Sequence, residues 1–370
     1  MKKRELIVSA SVATLLALGF SVSASADESQ FYGLLRERDL TTFGFLRLDM
    51  RPSHAVSIET GTWALEAGLG YQNTWALSEE VERYLTAREP LGRHALGPDD
   101  LHAIQALPGE NYLLDLESAE LDITLHYKFS PHWTGYVIAS AVSYDGGFLD
   151  GTIEKFHRTF GFETFGRRAV RRNDVNLIYD LKSARVASFG LPEDGGLLDP
   201  TAGARYTGLS LPEPWHLAVE AAVKVPVDGA RQLLSTGHFD YGVQVAVQRR
   251  GQHHALYADV AAVYYGGAEW PVPQASELIP TVVLGYEYQL TAGTNINVQV
   301  YASKSVYSNR ETDLTELTST KYQYSLGVRH RIAQYLLTFG FTENVQNINN
   351  TPDIGFQIGL AYVPRPTRRQ

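Results

Sequence analysis

From about Gly61 onward the chain is a ladder of alternating segments, each about ten residues long, and the gaps between them are short and long in turn. The segments ending near Lys128, Leu211, Arg249, Leu290 and Arg331 reach the next one across a few residues, whereas the intervening gaps are long, polar and rich in Gly and Pro. A soluble sandwich also alternates, but it does not keep short and long connections in strict turn or gather aromatics at the ends of one face. The layout predicts an all-β fold: a transmembrane antiparallel up-and-down β-barrel, with short periplasmic turns and long extracellular loops.

The alternation is explicit along the ladder. Trp63, Leu65, Ala67, Leu69 and Tyr71 share one face with Ala64, Glu66, Gly68, Gly70 and Gln72 on the other. Leu121, Ile123, Leu125, Tyr127 and Phe129 repeat the pattern against Glu120, Asp122, Thr124, His126 and Lys128, and Tyr136, Ile138, Val142 and Tyr144 continue it. After a weaker strand through Arg205, Tyr206 and Leu209, further segments run from Trp215, Phe239, Leu256, Val282, Ile296, Tyr322, Tyr335 and Ile354. This makes about twelve strands, an even number as single-chain bacterial barrels have, with both ends of the ladder in the periplasm. The count becomes fourteen if Asn176 to Leu181 and Arg185 to Phe189 form a hairpin that enters the membrane.

Hydrocarbon cannot solvate charge, so the polar face must point inward. Glu66, Asp122, His126, Glu220, Asp240, Gln244, Asp259, Glu287, Gln299 and Arg329 are therefore expected to line the lumen. Twelve strands lie between the filled eight-stranded barrel and the open sixteen-stranded porin, so a narrow solute path is geometrically allowed. The opposing reading is a lumen closed by salt bridges and water.

Outside the ladder, residues 1–26 read as a cleaved export signal: basic Lys2, Lys3 and Arg4, an apolar stretch from Leu6 to Phe20, and small residues Ala24-Ser25-Ala26. With no Cys, neither a lipid anchor on cysteine nor a disulfide can form. Loss of Lys2, Lys3, Arg4 and Glu5, three cations and one anion, takes the formal charge from −9 to −11. That acidity excludes the basic stripe of a nucleic-acid binder. Residues 27–60 hold Arg36-Glu37-Arg38-Asp39-Leu40 and Phe43-Gly44-Phe45-Leu46-Arg47-Leu48-Asp49, apolar enough to tuck into the barrel as a partial plug rather than trail as a leader. The barrel is expected over 61–363 and a tail over 364–370.

The first outer gap, about Ser78 to Glu117, carries helix-like stretches at Glu79 to Ala87 and Pro98 to Ala106. The second, 146–202, is the largest. Ile153, Phe156 and Phe160 fall at helical spacing, predicting a short amphipathic helix from Thr152 to Phe160. Arg158, Arg167, Arg168, Arg171 and Arg172 follow closely, poised either for lipid phosphates and anionic solutes or for pairing with neighbouring acids.

Catalysis finds little support. His330 has no Ser beside it, His253 and His254 point to opposite faces, and Glu120 and Asp122 read as ordinary lumen charge. No metal spacing or phosphate loop is present, so neither a catalytic residue nor a metal ligand nor a cofactor is expected.

The stretches Gly33-Leu34-Leu35-Arg36-Glu37-Arg38-Asp39-Leu40-Thr41, Ile153-Glu154-Lys155-Phe156-His157-Arg158-Thr159-Phe160-Gly161 and Leu198-Asp199-Pro200-Thr201-Ala202-Gly203-Ala204-Arg205-Tyr206 resemble the proteobacterial domain-of-unknown-function family 3187. The resemblance implies an exported outer-membrane protein without an assigned activity. One departure concerns barrels generally: the last strand ends near Tyr362, yet the chain runs on to Gln370 rather than closing on an aromatic. The expected role is a narrow outer-membrane channel or transport protein for a small solute, with outer-membrane lipid, lipopolysaccharide and the barrel-assembly machinery as partners. The alternative is a non-conducting barrel that binds surface lipid or a partner through loop 146–202.

Overall fold

The structure, a computed structural model, describes residues 30–36, 38, 39, 44, 46–53, 58–227, 229–344 and 350–364. The export signal at 1–26 and all of the tail except Pro364 lie outside the described residues.

Alternation folds as expected. The strands are β1 (Trp63–Leu77), β2 (Asn111–Lys128), β3 (Trp133–Asp145), β4 (Asn176–Leu181), β5 (Ala184–Ser188), β6 (Gly195–Leu197), β7 (Thr201–Tyr206) and β8 (Trp215–Lys224). They continue with β9 (Ala230–Arg231), β10 (Ser235–Thr236), β11 (Asp240–Arg250), β12 (His254–Tyr265), β13 (Glu277–Gln289), β14 (Thr294–Ser303), β15 (Lys321–Ile332), β16 (Tyr335–Glu343) and β17 (Ile354–Tyr362). The helices are α1 (Glu79–Arg88), α2 (Pro98–Gln105), α3 (Asp150–Phe160) and α4 (Thr315–Thr318).

One antiparallel sheet closes on itself where β17 pairs with β1, Tyr362 opposite Leu65 and Ile354 opposite Asn73. Around the ring the order is β1-β2-β3-β7-β8-β11-β12-β13-β14-β15-β16-β17. This is a twelve-stranded barrel. Closure leaves no edge in the ring, as a sheet in hydrocarbon requires.

The hairpin β4–β5 does form, but it does not raise the count to fourteen. β4 pairs with residues 111–115 of β2, above the point where β3 pairs with β2, and β5 pairs only with β4. β2 thus rises past the rim, with Tyr112, Leu113, Leu114 and Leu116 all buried. Both faces of this extension are covered, so its sequence loses the alternation that marks the wall below.

The outward residues Leu65, Leu69, Leu121, Ile123, Val243, Val260, Leu284 and Phe339 are exposed, as a lipid-facing belt must be. At the periplasmic rim Trp63 packs on Tyr127, Trp133 on Tyr206 and Tyr335 on Tyr362. No helix among the described residues is long and apolar enough to span a bilayer.

The extracellular mouth is roofed by an apolar core. It joins Leu116, Val142 and Tyr144 of the wall to Leu177 and Tyr179 of β4 and to Leu233, Leu234, Val272, Val306, Tyr307 and Leu317 of the later loops. A second core lies beside it, where Val81 and Leu85 of α1, Ile104 of α2 and Ala169 and Val170 pack on Trp75, Leu77 and Leu113.

Candidate functional site: a plugged lumen

The described residues between 30 and 53 fill the interior in two legs, one ascending and one descending. The ascending leg binds the β13–β15 wall by backbone-to-side-chain bonds that need no regular secondary structure. Glu287 accepts from the N–H groups of Tyr32 (2.8 Å) and Gly33 (3.0 Å). Gln299 accepts from Leu35 N–H at 3.0 Å, Asn297 donates to Gly33 O at 2.9 Å, and Arg329 donates to the carbonyls of Tyr32, Gly33 and Leu34.

The descending leg binds the opposite wall. Asp240 accepts from Leu48 N–H at 2.7 Å while Lys224 donates to Leu46 O at 2.8 Å. Gln244 donates to Arg51 O at 3.1 Å. Asp259 accepts from Ser53 N–H at 2.7 Å, and Ser53 donates its hydroxyl proton to Glu220 at 3.1 Å.

The two legs hold each other through a fully buried cluster. Asp39 accepts from Arg47 at 2.8 Å and from Lys321 at 2.9 Å, and Arg47 also donates to Tyr301. Lower down, Arg36 donates to Pro52 O at 3.0 Å. Buried charges survive only when paired and hydrogen-bonded, and each of these meets that condition.

Close approach is made by glycine. A Cβ on Gly285 would lie 2.1 Å from a methyl of Leu34, and one on Gly327 would lie 2.7 Å from the methyls of Leu35. Both glycines point inward, and the two leucines occupy the space that side chains would take.

Of the residues expected in the lumen, all but His126 touch the plug directly. Glu66 reaches Arg36 at 3.0 Å, Asp122 reaches Arg51 at 2.8 Å and Arg38 at 3.8 Å, and His126 contacts Glu66 at 3.6 Å. The polar face is thus a docking surface for the protein's own N-terminal segment, not the bare lining of a water-filled pore. Sequence reasoning did not connect Arg36, Arg38 and Arg51 with these acids. The usable signal was charge: the inward face carries more carboxylates than cations, and the segment before Gly61 brings Arg residues.

The plug leaves one sector uncovered. Register places mostly small residues in inward rows across β16, β17 and β1: Thr342-Gly355-Gln72, then Gly340-Gln357-Gly70, then Thr338-Gly359-Gly68, beside Gly327 and Arg329 of β15, which the plug covers. Along this seam Glu66, Gly68, Thr338, Thr342, Gln357 and Gly359 remain partly exposed. The inward polar residues in the middle of β8 to β14 are sealed, with Glu287, Asn295, Asn297 and Asp240 at 0% exposure, while His216, Arg250 and Glu277 at the strand ends are partly exposed. A small cleft of about 20 Å³ lies here, between Arg38, Glu120 and Asp122 on one side and Gly70, Gln72, Gln323, Thr342 and Gln357 on the other. Two ion pairs reach across from the plug, Arg36 to Glu66 and Arg38 to Glu120.

The loop arginines divide. Arg167 is buried between Asp150 (2.7 Å) and Asp353 (2.8 Å), with its guanidinium 4.8 Å over Trp75. Arg172 pairs with Glu154 at 2.6 Å and Arg171 with Asp174 at 3.0 Å. Only Arg158 and Arg168 stand exposed without an ion pair among the described residues. Of the two readings of this group, pairing with neighbouring acids holds for Arg167, Arg171 and Arg172, which hold the loop together. The predicted helix appears as α3, two residues longer at its start, and β4 of the same loop packs in the roof over the mouth.

In the same loops, burial alone would raise the Glu154 carboxyl, but hydrogen bonds from Arg172 and Arg93 hold it below the usual carboxylate range. Asp100 likewise overcomes burial, held low by bonds from His94, Tyr84 and Gly97 N–H. On the outer wall His330 meets the Thr294 hydroxyl at 2.8 Å.

Residues 104–363 match the family described as Protein of unknown function (DUF3187), and the chain belongs to that family. No curated protein matches the sequence. The fold is similar to the COG4313 outer membrane channel from Pseudomonas putida F1, at 10% identity and a TM-score of 0.49 over 85% of this chain and 98% of that one. It is also similar to the NanC porin, at 7% identity and a TM-score of 0.42 over 81% and 99% of the two chains. The Ralstonia pickettii toluene transporter TbuX is similar at 9% identity and 0.37, over 83% and 90%.

Proposed function

We propose that this member of the DUF3187 family is an outer-membrane channel that passes a small polar solute along the seam between its plug and the β16–β17–β1 wall. The observation that carries the reading is asymmetry. The plug seals the middle of the inward face of β8 to β14 yet leaves Glu66, Gly68, Thr338, Thr342, Gln357 and Gly359 partly exposed on the other side. A polar wall of Gly and Thr minimises both width lost to side chains and apolar surface, which suits a hydrated solute. The Arg36–Glu66 and Arg38–Glu120 pairs span the seam and set its width.

On this reading residues 1–26 direct export, and the barrel enters the outer membrane by the assembly machinery. Conductance across planar bilayers tests the channel. Wild-type protein should show small, steady currents. Thr338→Trp should block them, and Arg36→Ala with Arg38→Ala should enlarge them. Absence of current from wild type and from the double alanine variant alike would sink the proposal.

A further inference from the structure

The seam does not involve the outer surface of loop 146–202, where an apolar patch stands in the open. Phe156 and Phe160 of α3 are 51% and 64% exposed, with ring centroids 4.7 Å apart, and Phe162 packs 5.8 Å from Phe156. Phe148, 67% exposed, precedes the helix. Four large aromatics left to water in one loop segment are costly, at roughly 25 cal/mol for each Å² of apolar surface, so the segment is built to be covered.

Its position says by what. The Phe148 ring stacks at 5.1 Å on Tyr71, which lies on the outward, lipid-facing side of β1. Tyr71 stands opposite Phe356, whose ring is 5.5 Å from Phe341 on the neighbouring strand. Phe148, two residues before α3, thus joins the barrel's outward aromatics at the extracellular end of these strands.

The helix is fixed as a rigid mount. Ile153 and Glu154 are buried on its inner side, Glu154 gripped by Arg93 and Arg172, and Arg167 holds Asp150 in the first turn. At about 100° per residue, Phe156 and Phe160 share one flank of the exposed face, and Lys155 and Arg158 share the other. Among the described residues neither cation has an ion-pair partner. An apolar flank beside a basic one is the arrangement of a helix lying in a membrane interface.

We infer that α3 docks on the outer leaflet, with Phe156, Phe160 and Phe162 among acyl chains and Lys155 and Arg158 on the phosphates of an anionic surface lipid. The occupant is lipid, because Phe148 beside the helix joins the barrel's outward aromatics and the cations of α3 match a phosphorylated headgroup. The docked helix would clamp loops one and two at the membrane surface.

The chain has no Cys, so a single Thr159→Cys on the exposed face can carry an environment-sensitive dye. The labelled protein is placed in phosphatidylcholine vesicles that contain doxyl-labelled lipid, alone, with diphosphoryl lipid A, or with dephosphorylated lipid A. Expected is quenching by the doxyl lipid that is strongest with diphosphoryl lipid A. Phe156→Ser with Phe160→Ser should abolish the quenching, and Lys155→Gln with Arg158→Gln should remove the preference for phosphate. Heat-modifiable gel migration verifies that each variant is a folded barrel. A dye unquenched in every vesicle, or still quenched in the serine variant, overturns the docking. Equal quenching by phosphorylated and dephosphorylated lipid A overturns the phosphate assignment.

Discussion

Arg329 is the single side chain on which most of the ascending plug leg depends, since its guanidinium donates to three successive carbonyls at 32–34. Replacing it by Ala takes the guanidinium donor from the carbonyls of Tyr32, Gly33 and Leu34, and loss of one partner in a buried charged network costs on the order of 3–5 kcal/mol. Arg329→Ala should therefore release the plug, read as faster trypsin cleavage at Arg36 and Arg38 while the barrel stays intact. Gly285→Ala should act in the same direction by about 1–3 kcal/mol of overpacking. Leu34→Ala in the same molecule should restore protease resistance, because it vacates the position that the new methyl needs. These residues illustrate what was and was not legible beforehand. That Arg329 and Glu287 face inward follows from alternation with lipid-facing neighbours. That they hold residues 32–34 does not, since the partners are separated by more than 250 positions and share no local pattern.

At the scale of elements, the strands were readable because a wall with lipid on one side and polar atoms on the other imposes a period of two. The same reasoning placed α3 within two residues of its start. It failed where an element is covered on both faces, as in the rise of β2 above the rim, whereas β4 was found at its bounds and only its place outside the ring was not. The loops they support are tied by Glu154 and Asp100, and here pH has a definite sign. Both carboxyls lie below their ordinary values in the folded loops. Their stabilising contribution is thus complete above the ordinary carboxylate range, near pH 4, and is lost as pH falls through the lowered values. Hydrogen exchange in residues 146–174 should stay slow at neutral pH and accelerate below about pH 4, with the β11–β14 wall unaffected. Glu154→Gln should bring part of that acceleration to neutral pH, because Arg93 and Arg172 then face an uncharged amide.

The whole molecule is a barrel closed three times: by its hydrogen-bonded ring, by the roof of loop side chains and by the plug. Removing residues 30–53 strips the Arg partners from Glu66, Glu120 and Asp122 and the backbone donors from Asp240, Asp259 and Glu287. The shortened protein should be less thermostable, show larger currents than wild type, and favour cations in reversal-potential measurements across a salt gradient. Alternation, a property of neighbouring residues, determined the barrel, its two faces and its orientation, since hydrocarbon and water each demand their own side of every strand. Only the tertiary structure decided what fills the lumen. Plug and wall recognise each other through charges and backbone groups far apart in the chain, and such pairs acquire meaning only once closure of the ring has set them face to face.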